Sequence, residues 1–405
     1  MKKVVITGIG ILSSIGNNQK EVLQSLLNSL SGITFSEEFK CAGMRSNVWG
    51  DIKINIAETF INKNIVKFMH DGTIYAYLAM QEAIKDSCLH FNQYANNSNV
   101  GIVVGSAGCS ARSKILSINL MNKGIKNIPP FSAIKSMNSG ISACLGTFFN
   151  LKGINYSINS ACATSANCIG HAYELIKFGQ QKIIFAGGGE ALNWELACEF
   201  DAMRVLSTRY NNFPKRASRA YDCKRDGFVI SGGGGIIVLE ELQHALSRNA
   251  KIYGEIIGFS TNSDGYSLTK PSGSGLFKCI KKALTDIHEK VDYINTHAAS
   301  TKIGDITELL AIKKFFNNYK PFISSTKSIT GHSLGVSGVH ELIYVILMLN
   351  NNFIAPSINI NKLDKNAFKM NIINSILYKK FNVGMSNSLG FGGVNVVIIL
   401  KKYHG

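Results

Sequence analysis

Strand-like apolar runs and amphipathic stretches take turns along almost the whole of this 405-residue chain. The segments Val4 to Ile9, Val100 to Val104, Lys182 to Ala186, Ile236 to Leu239, Val291 to Asn295, Phe322 to Ser324 and Val394 to Leu400 read as buried strands. Helical spacing holds over Phe68 to Lys85, Ala163 to Phe178, Leu276 to Ile287, Asp305 to Phe316 and Gly338 to Leu349. Such alternation predicts α/β layers with helices on the faces of the sheet. The length suggests two or three domain-sized units, yet no linker rich in Pro, Gly or Ser divides the chain. A weak internal echo is present. Strand, loop, helix and strand run from Tyr156 to Gly188, and a similar order leads from Phe322 through Ser325 to His332 into the helix ending near Leu349.

Composition removes several classes. With 45% hydrophobic and 17% charged residues and six prolines, the chain is an ordinary soluble globular protein, not a disordered one. Nine cysteines without a CxxC pair fit neither a disulfide framework nor a zinc site, so no metal is expected. The first ten residues superficially resemble a signal peptide, but Thr7, Gly8 and Gly10 interrupt the apolar stretch, and a buried first strand is expected. The longest apolar run, Leu342 to Leu349, is too short to span a bilayer. A cytoplasmic, reducing compartment follows as the default. The net charge of +17 is spread thinly and lacks the basic blocks of a nucleic-acid binder. It reads either as a composition bias or as a surface that steers an acidic partner.

Chemistry concentrates at four places. Cys162 lies where the strand pattern Ile154 to Ile158 turns into a helix pattern, so the thiol is expected on the first helical turn with its pKa lowered by free N–H groups and the macrodipole. His297 lies in Asn295-Thr-His-Ala-Ala-Ser-Thr301, and His332 in Lys327-Ser-Ile-Thr-Gly-His-Ser-Leu-Gly335; both segments follow strands. Met385 to Gly393 reads as a flexible Gly-rich loop before the last strand. Loops at strand ends are where α/β proteins place their sites. The clusters Gly8-x-Gly10 and Gly232 to Gly235 lack the GxGxxG context of a nucleotide site and are read as close backbone packing. Cys41, Cys88, Cys109, Cys144, Cys168, Cys198, Cys223 and Cys279 read as small core residues or bystanders.

The motifs Ser160-Ala-Cys-Ala-Thr-Ser-Ala166, Phe185-Ala-Gly-Gly-Gly-Glu190, Tyr221-Asp-x-x-Arg-Asp-Gly-Phe228, Thr296-His-x-x-Ser-Thr301, Lys327-x-x-x-Gly-His-Ser-Leu-Gly335 and Ser388-x-Gly-Phe-Gly-Gly393 occur in one order. In these the chain resembles, from end to end, the β-ketoacyl-[acyl-carrier-protein] synthases, the condensing enzymes of fatty acid synthesis, and most of all their KAS I type. The resemblance implies the thiolase fold, with two duplicated halves in a five-layered α-β-α-β-α arrangement and normally a homodimer. The halves would be residues 1–250, with the nucleophilic cysteine, and 251–405, with two catalytic histidines. Cys162 would carry the acyl chain as a thioester. His297 and His332 would stabilise the enolate left when malonyl carrier protein loses CO2. The backbone N–H groups of Cys162 and Phe391 would form the oxyanion hole. Lys327 would orient the site, paired with Glu341. Thr301 would bind the phosphopantetheine arm, and Gly108, Met137 and Phe200 would line the acyl pocket. Lys63, Lys67, Lys123 and Lys126 match the basic patch that docks acidic acyl carrier protein. No cofactor is implied.

Cys, His and His together favour decarboxylative elongation. The alternatives are a catalytically impaired partner subunit of the chain-length-factor kind, and a polyketide-type synthase. Some positions depart from the KAS I pattern. Ala298 and Ala299 replace the usual Gly and Thr after His297, which removes a hydroxyl worth about 0.5–1.5 kcal/mol toward the arm. Leu389, Val394 and Asn167 stand where Phe, Thr and His are usual.

Overall fold

The structure, a computed structural model, describes residues 1–55, 59, 61–108, 113–317 and 319–404, so Cys109 lies outside the described residues. Ten strands form one sheet: β1 (Val4–Leu12), β2 (Val100–Gly105), β3 (Asn155–Ser157), β4 (Ile183–Glu190), β5 (Gly233–Glu241), β6 (Gly254–Ser263), β7 (Tyr293–Asn295), β8 (Phe322–Ser324), β9 (Val383–Gly390) and β10 (Val394–Lys401). Their order is β8-β7-β9-β10-β6-β1-β5-β4-β2-β3. The echo in the sequence is a full duplication. β2 runs parallel to β3 and β4, and β5 is antiparallel to β4 and β1. In the other half β7 runs parallel to β8 and β9, and β10 is antiparallel to β9 and β6. A short antiparallel pairing, Val4 with Ile256 to Ile6 with Gly254, joins the halves.

Six helices fill corresponding connections: α1 (Asp71–Asp86), α2 (Gly140–Phe148) and α3 (Thr164–Lys177) in the first half, α4 (Ser274–Ala283), α5 (Gly304–Phe316) and α6 (Ser337–Asn351) in the second. Three apolar layers follow from them. Ala79, Ala83, Ile141 and Leu145 of α1 and α2 pack against Val104 and Phe185. Leu276, Ile280, Leu309 and Ile312 of α4 and α5 pack against Val397 and Ile399. Between the two half-sheets, Ala166, Ile169 and Tyr173 of α3 meet Val339, Leu342 and Ile343 of α6. Helices outside, sheet, helices between, sheet and helices outside make the five layers the sequence resemblance implied. Because α6 is buried among apolar neighbours, it is apolar nearly all round. The span Leu334–Asn351 is long and apolar enough to cross a membrane by composition, and 89% of it is buried inside the fold.

β1 is a central, wholly buried strand, as its composition predicts. Its glycines let α1 approach: a Cβ at Gly10 would stand 1.9 Å from the Ala79 carbonyl oxygen. Among the segments read from sequence, α1 starts at Asp71, because the His70 ring caps it by accepting from the Thr73 N–H (3.4 Å). Two strands of this ten-stranded sheet escaped the reading. β6 has a polar C-terminal end that hides its alternation. β9 covers Met385 to Gly390, so the expected flexible loop is in fact an inner strand, and only Phe391, Gly392 and Gly393 form the turn into β10.

Candidate active site

The two halves place equivalent connections face to face. In the first half the chain leaves β3 and reaches α3 through residues 158–163; in the second it leaves β8 and reaches α6 through 325–336. Their helices touch so closely that a Cβ on Gly338 would lie 2.7 Å from the Cβ and N of Ala166. The Val339 N–H donates to the Ser165 hydroxyl (3.0 Å), which pins the start of one helix to the other. Cys162 in one connection and His332 in the other are thereby brought to the same cavity.

Local chemistry shapes the cysteine turn. Ala161 has φ of 51°, a left-handed conformation that costs a residue with a side chain about 1–2 kcal/mol. Thr164 holds it, donating from its hydroxyl to the Ala161 carbonyl (2.7 Å) while accepting the Ser160 N–H (2.9 Å). Cys162 precedes the cap residue Ala163, so it sits just before the helix and not on its first turn. The side chain is only 8% exposed. Burial pushes the thiol up to about 12, against the opposing pull of the Lys327 charge and of the Phe391 and Cys162 N–H groups. The lowered pKa expected from the helix start is therefore not found. Desolvation outweighs those fields in the resting site.

A cavity of about 420 Å³ opens over the thiol and is lined by Cys162, Phe200, His297, Thr301, His332 and Phe391, among others. The rings of His297 and His332 stand edge to face with centroids 5.0 Å apart. Both are held well below the usual histidine range, first by burial and then by the Lys327 charge. Neutral rings have one N–H each, and their neighbours decide which nitrogen bears it. Lys327 Nζ lies 3.4 Å from His297 Nδ1, and a lysine ammonium has only donors to offer. The Ser337 hydroxyl lies 2.8 Å from His332 Nδ1. Farther back, His340 Nε2 faces the Gly234 carbonyl at 3.0 Å, so its neutral ring carries the proton there and its Nδ1 accepts from Ser333 (3.1 Å). Ser337 lies nearer to His332 Nδ1 than to the Ser333 hydroxyl (3.3 Å), so its proton goes to His332. Each active-site ring thus accepts at Nδ1 and carries its N–H on Nε2.

Lys327 is buried and pairs with Glu341, whose carboxyl is raised to about 7, chiefly by burial. Three buried carboxyls missed in the sequence support the same wall. Glu308, raised by burial to about 7, accepts the His297 backbone N–H (2.9 Å) and the Asn387 amide (3.0 Å) and lines the cavity. Asp305 accepts the Thr301 N–H (3.0 Å) and pairs with Arg225 (3.5 Å). Glu190 gathers the Ser106 hydroxyl and the N–H groups of Ala107, Gly108 and Gly335 at 2.8–2.9 Å, tying the end of β2 to the His332 loop. The last of these ends the motif Phe185 to Glu190, which was the only signal available for it.

Phe200 packs 6.4 Å from Phe391 at the cavity, and Phe391 is 37% exposed there. Gly108 and Met137 are absent from the cavity wall among the described residues. Gly108 abuts Leu196, and Met137 is 47% exposed on the surface. Of the four predicted docking lysines, Lys63 starts a short helix and Lys67 caps it, with its Nζ 5.2 Å and 5.5 Å from the Phe68 and Phe131 ring centroids. Lys123 and Lys126 follow at exposed positions. Cys144, Cys168 and Cys279 are buried, Cys198 is half-buried, and Cys41, Cys88 and Cys223 are exposed. No group of three or more His, Cys, Asp or Glu able to hold a metal ion occurs among the described residues.

Two family models match the chain, the β-ketoacyl synthase N-terminal domain over residues 1–245 and its C-terminal domain over 253–361. The chain is 58% identical over 407 residues to 3-oxoacyl-[acyl-carrier-protein] synthase 1 of Buchnera aphidicola subsp. Schizaphis graminum, covering 100% of both. It is 52% identical over 404 residues to the enzyme of the same name from Escherichia coli K12, covering 99% of each. Among solved structures, a β-ketoacyl synthase from Burkholderia phymatum STM815 superposes with a TM-score of 0.94 at 29% identity over all of both chains. A ketosynthase solved in complex with a type II PKS acyl-carrier protein, bound to the hexaketide, gives 0.89 at 26%, again over all of both chains.

Proposed function

The chain belongs to the β-ketoacyl synthase family and is an acyltransferase that elongates fatty acids by condensation, and we propose that Cys162, His297, His332 and Lys327 carry that chemistry. The observation that bears this reading is the meeting of one thiol and two Nε2–H imidazoles in one cavity, with the N–H groups of Cys162 and Phe391 at the sulfur.

In the loading step the Cys162 sulfur attacks the thioester carbonyl of acyl carrier protein. The oxyanion forms against the Cys162 and Phe391 N–H groups, and the thiol proton ends on the departing arm thiol. Burial of the thiol makes these hydrogen bonds and the Lys327 charge necessary, since the resting group is protonated. Malonyl carrier protein then enters and its carboxylate leaves as CO2. The enolate oxygen that remains is met by the two Nε2–H groups, which lack a proton-accepting lone pair and so act as donors. The enolate carbon attacks the acyl-Cys162 carbonyl in the same oxyanion hole and expels the thiolate. One proton taken up from water restores the thiol, and 3-oxoacyl carrier protein departs. Lys327 sets the His297 tautomer and is itself held by Glu341. Thr301 would bind the arm, and Phe200 would contact the acyl chain.

The reading extends to a cytoplasmic homodimer that uses acyl- and malonyl-loaded carrier protein and needs no metal or organic cofactor. Support comes from the carrier protein in the names of the relatives and from the ketosynthase structure with its carrier. The impaired-partner alternative is disfavoured by the intact thiol in the cavity. Wild type and Cys162→Ala incubated with acyl- and malonyl-carrier protein, followed by mass, test the proposal. Product from wild type alone is expected; no product and no acyl-Cys162 from wild type would sink it.

A further inference from the structure

The cations nearest the active-site cavity are not the four lysines named from sequence. Arg204, Lys270 and Lys302 line the cavity itself, on three separate loops, and all three are exposed. None of the three side chains pairs with a carboxylate among the described residues. Three carboxyl groups share the wall but are committed elsewhere; Glu308 is already engaged by the His297 N–H and the Asn387 amide. Asp226 accepts the Ser207 hydroxyl and the Thr208 and Arg209 N–H groups at 2.8–3.0 Å. Asp264 accepts the Ser272 N–H (2.6 Å) and the Asn395 amide (3.3 Å).

Each cation stands on a fixed support. Arg204 has φ of 58°, a position that suits glycine, just past the helix Trp194–Ala202. An arginine there is not chosen for its backbone. Buried Arg225 donates to the carbonyls of Thr301 (2.9 Å) and Lys302 (2.7 Å), holding that segment rigid. The Gly392 N–H donates to the Leu268 carbonyl (2.8 Å), so the loop bearing Lys270 is tied to the Phe391 turn. Beside each cation an apolar side chain is also exposed on the wall: Met203, Leu268 and Ile303.

We propose that Arg204, Lys270 and Lys302 form a cationic collar that grips the phosphodiester of the incoming arm as its thioester reaches Cys162. This rests on the proposed function and deepens it by naming the anion that this chain selects. Unpaired cations facing a cavity concentrate anionic substrates there. An arm whose single charged group is a phosphodiester, flanked by apolar and amide segments, matches cations that alternate with exposed apolar side chains.

The test compares transfer of one acyl group to Cys162 from acyl-pantetheine, acyl-phosphopantetheine and acyl-carrier protein, in wild type and in Lys270→Glu with Lys302→Glu. Wild type is expected to prefer acyl-phosphopantetheine over acyl-pantetheine by roughly ten-fold in kcat/KM, and the double variant to lose that preference. Equal use of the two small substrates by wild type would overturn the collar. So would a double variant that loses only carrier-bound substrate, because the lysines would then be reading the carrier's acidic surface. Failure of wild type to be acylated by any donor would instead break the functional reading beneath it.

Discussion

The two halves of the sheet share one strand order and one pattern of strand directions, yet their equivalent connections carry different chemical groups. The connection after β3 is short, ends in a strained turn and presents one thiol beside backbone N–H groups. The one after β8 is twice as long and holds Lys327, His332 and Ser333, whose partners Glu341, Ser337 and His340 stand on α6. The first is built of backbone geometry; the second is built of side-chain charge and hydrogen bonding. Duplication supplies the scaffold, and in the proposed function loop content decides which half offers the nucleophile and which the donors.

The largest effect should come from the charged side of this contrast. Lys327→Met leaves Glu341 buried without its cation, at a cost of about 3–5 kcal/mol. The stranded carboxyl, already raised to about 7, rises further. It can refold neutral at low pH, so the variant should lose stability as pH increases from 6 to 8. Denaturant titrations at both values check this, and rescue by adding Glu341→Gln separates the lost pair from general damage. Next in size is the contact between the halves. Gly338→Ala puts a methyl against Ala166, and overpacking of this kind costs about 1–3 kcal/mol. Activity should fall with stability, because the change pushes the two connections apart; unfolding midpoints and kcat measured together would show it.

A third prediction concerns the relay. His340 is lowered to about 4 by burial. In the unfolded chain its pKa is near 6.5, so below that value the unfolded state binds a proton that the folded state refuses. Stability due to neutral His340 is present above pH 6.5 and is lost as pH falls toward 4. Wild type should therefore lose about 1.4 kcal/mol more than His340→Gln between pH 7.5 and 5.5. The smallest effect belongs to the proposed arm site. Ala299 lines the cavity, and Ala299→Thr restores a hydroxyl worth about 0.5–1.5 kcal/mol. KM for carrier-bound substrate should drop several-fold with kcat nearly unchanged.

The sequence showed α3 through its regular apolar spacing, and the chemistry of both connections through their motifs. It could not show β9, because a strand that passes beneath a site carries Ser386, Asn387 and Ser388 in place of apolar residues. Those polar side chains are buried, and Asn387 is used on Glu308. Nor could it weigh desolvation against the helix start at Cys162, since burial depends on Phe228, Ala299, Leu334 and the Phe391 turn, all remote in the chain. Arg204, Lys270 and Lys302 are scattered singly, and only the fold assembles them at one opening.

The division of labour between the halves is tested most directly by His297→Ala and His332→Ala, each followed for acyl-enzyme by intact mass and for CO2 release from malonyl carrier protein. Full acylation of Cys162 with CO2 release reduced by about 100-fold or more is the predicted result. Loss of acylation in parallel with decarboxylation would contradict it, placing the histidines in the cysteine's own step and dissolving the contrast between the two connections.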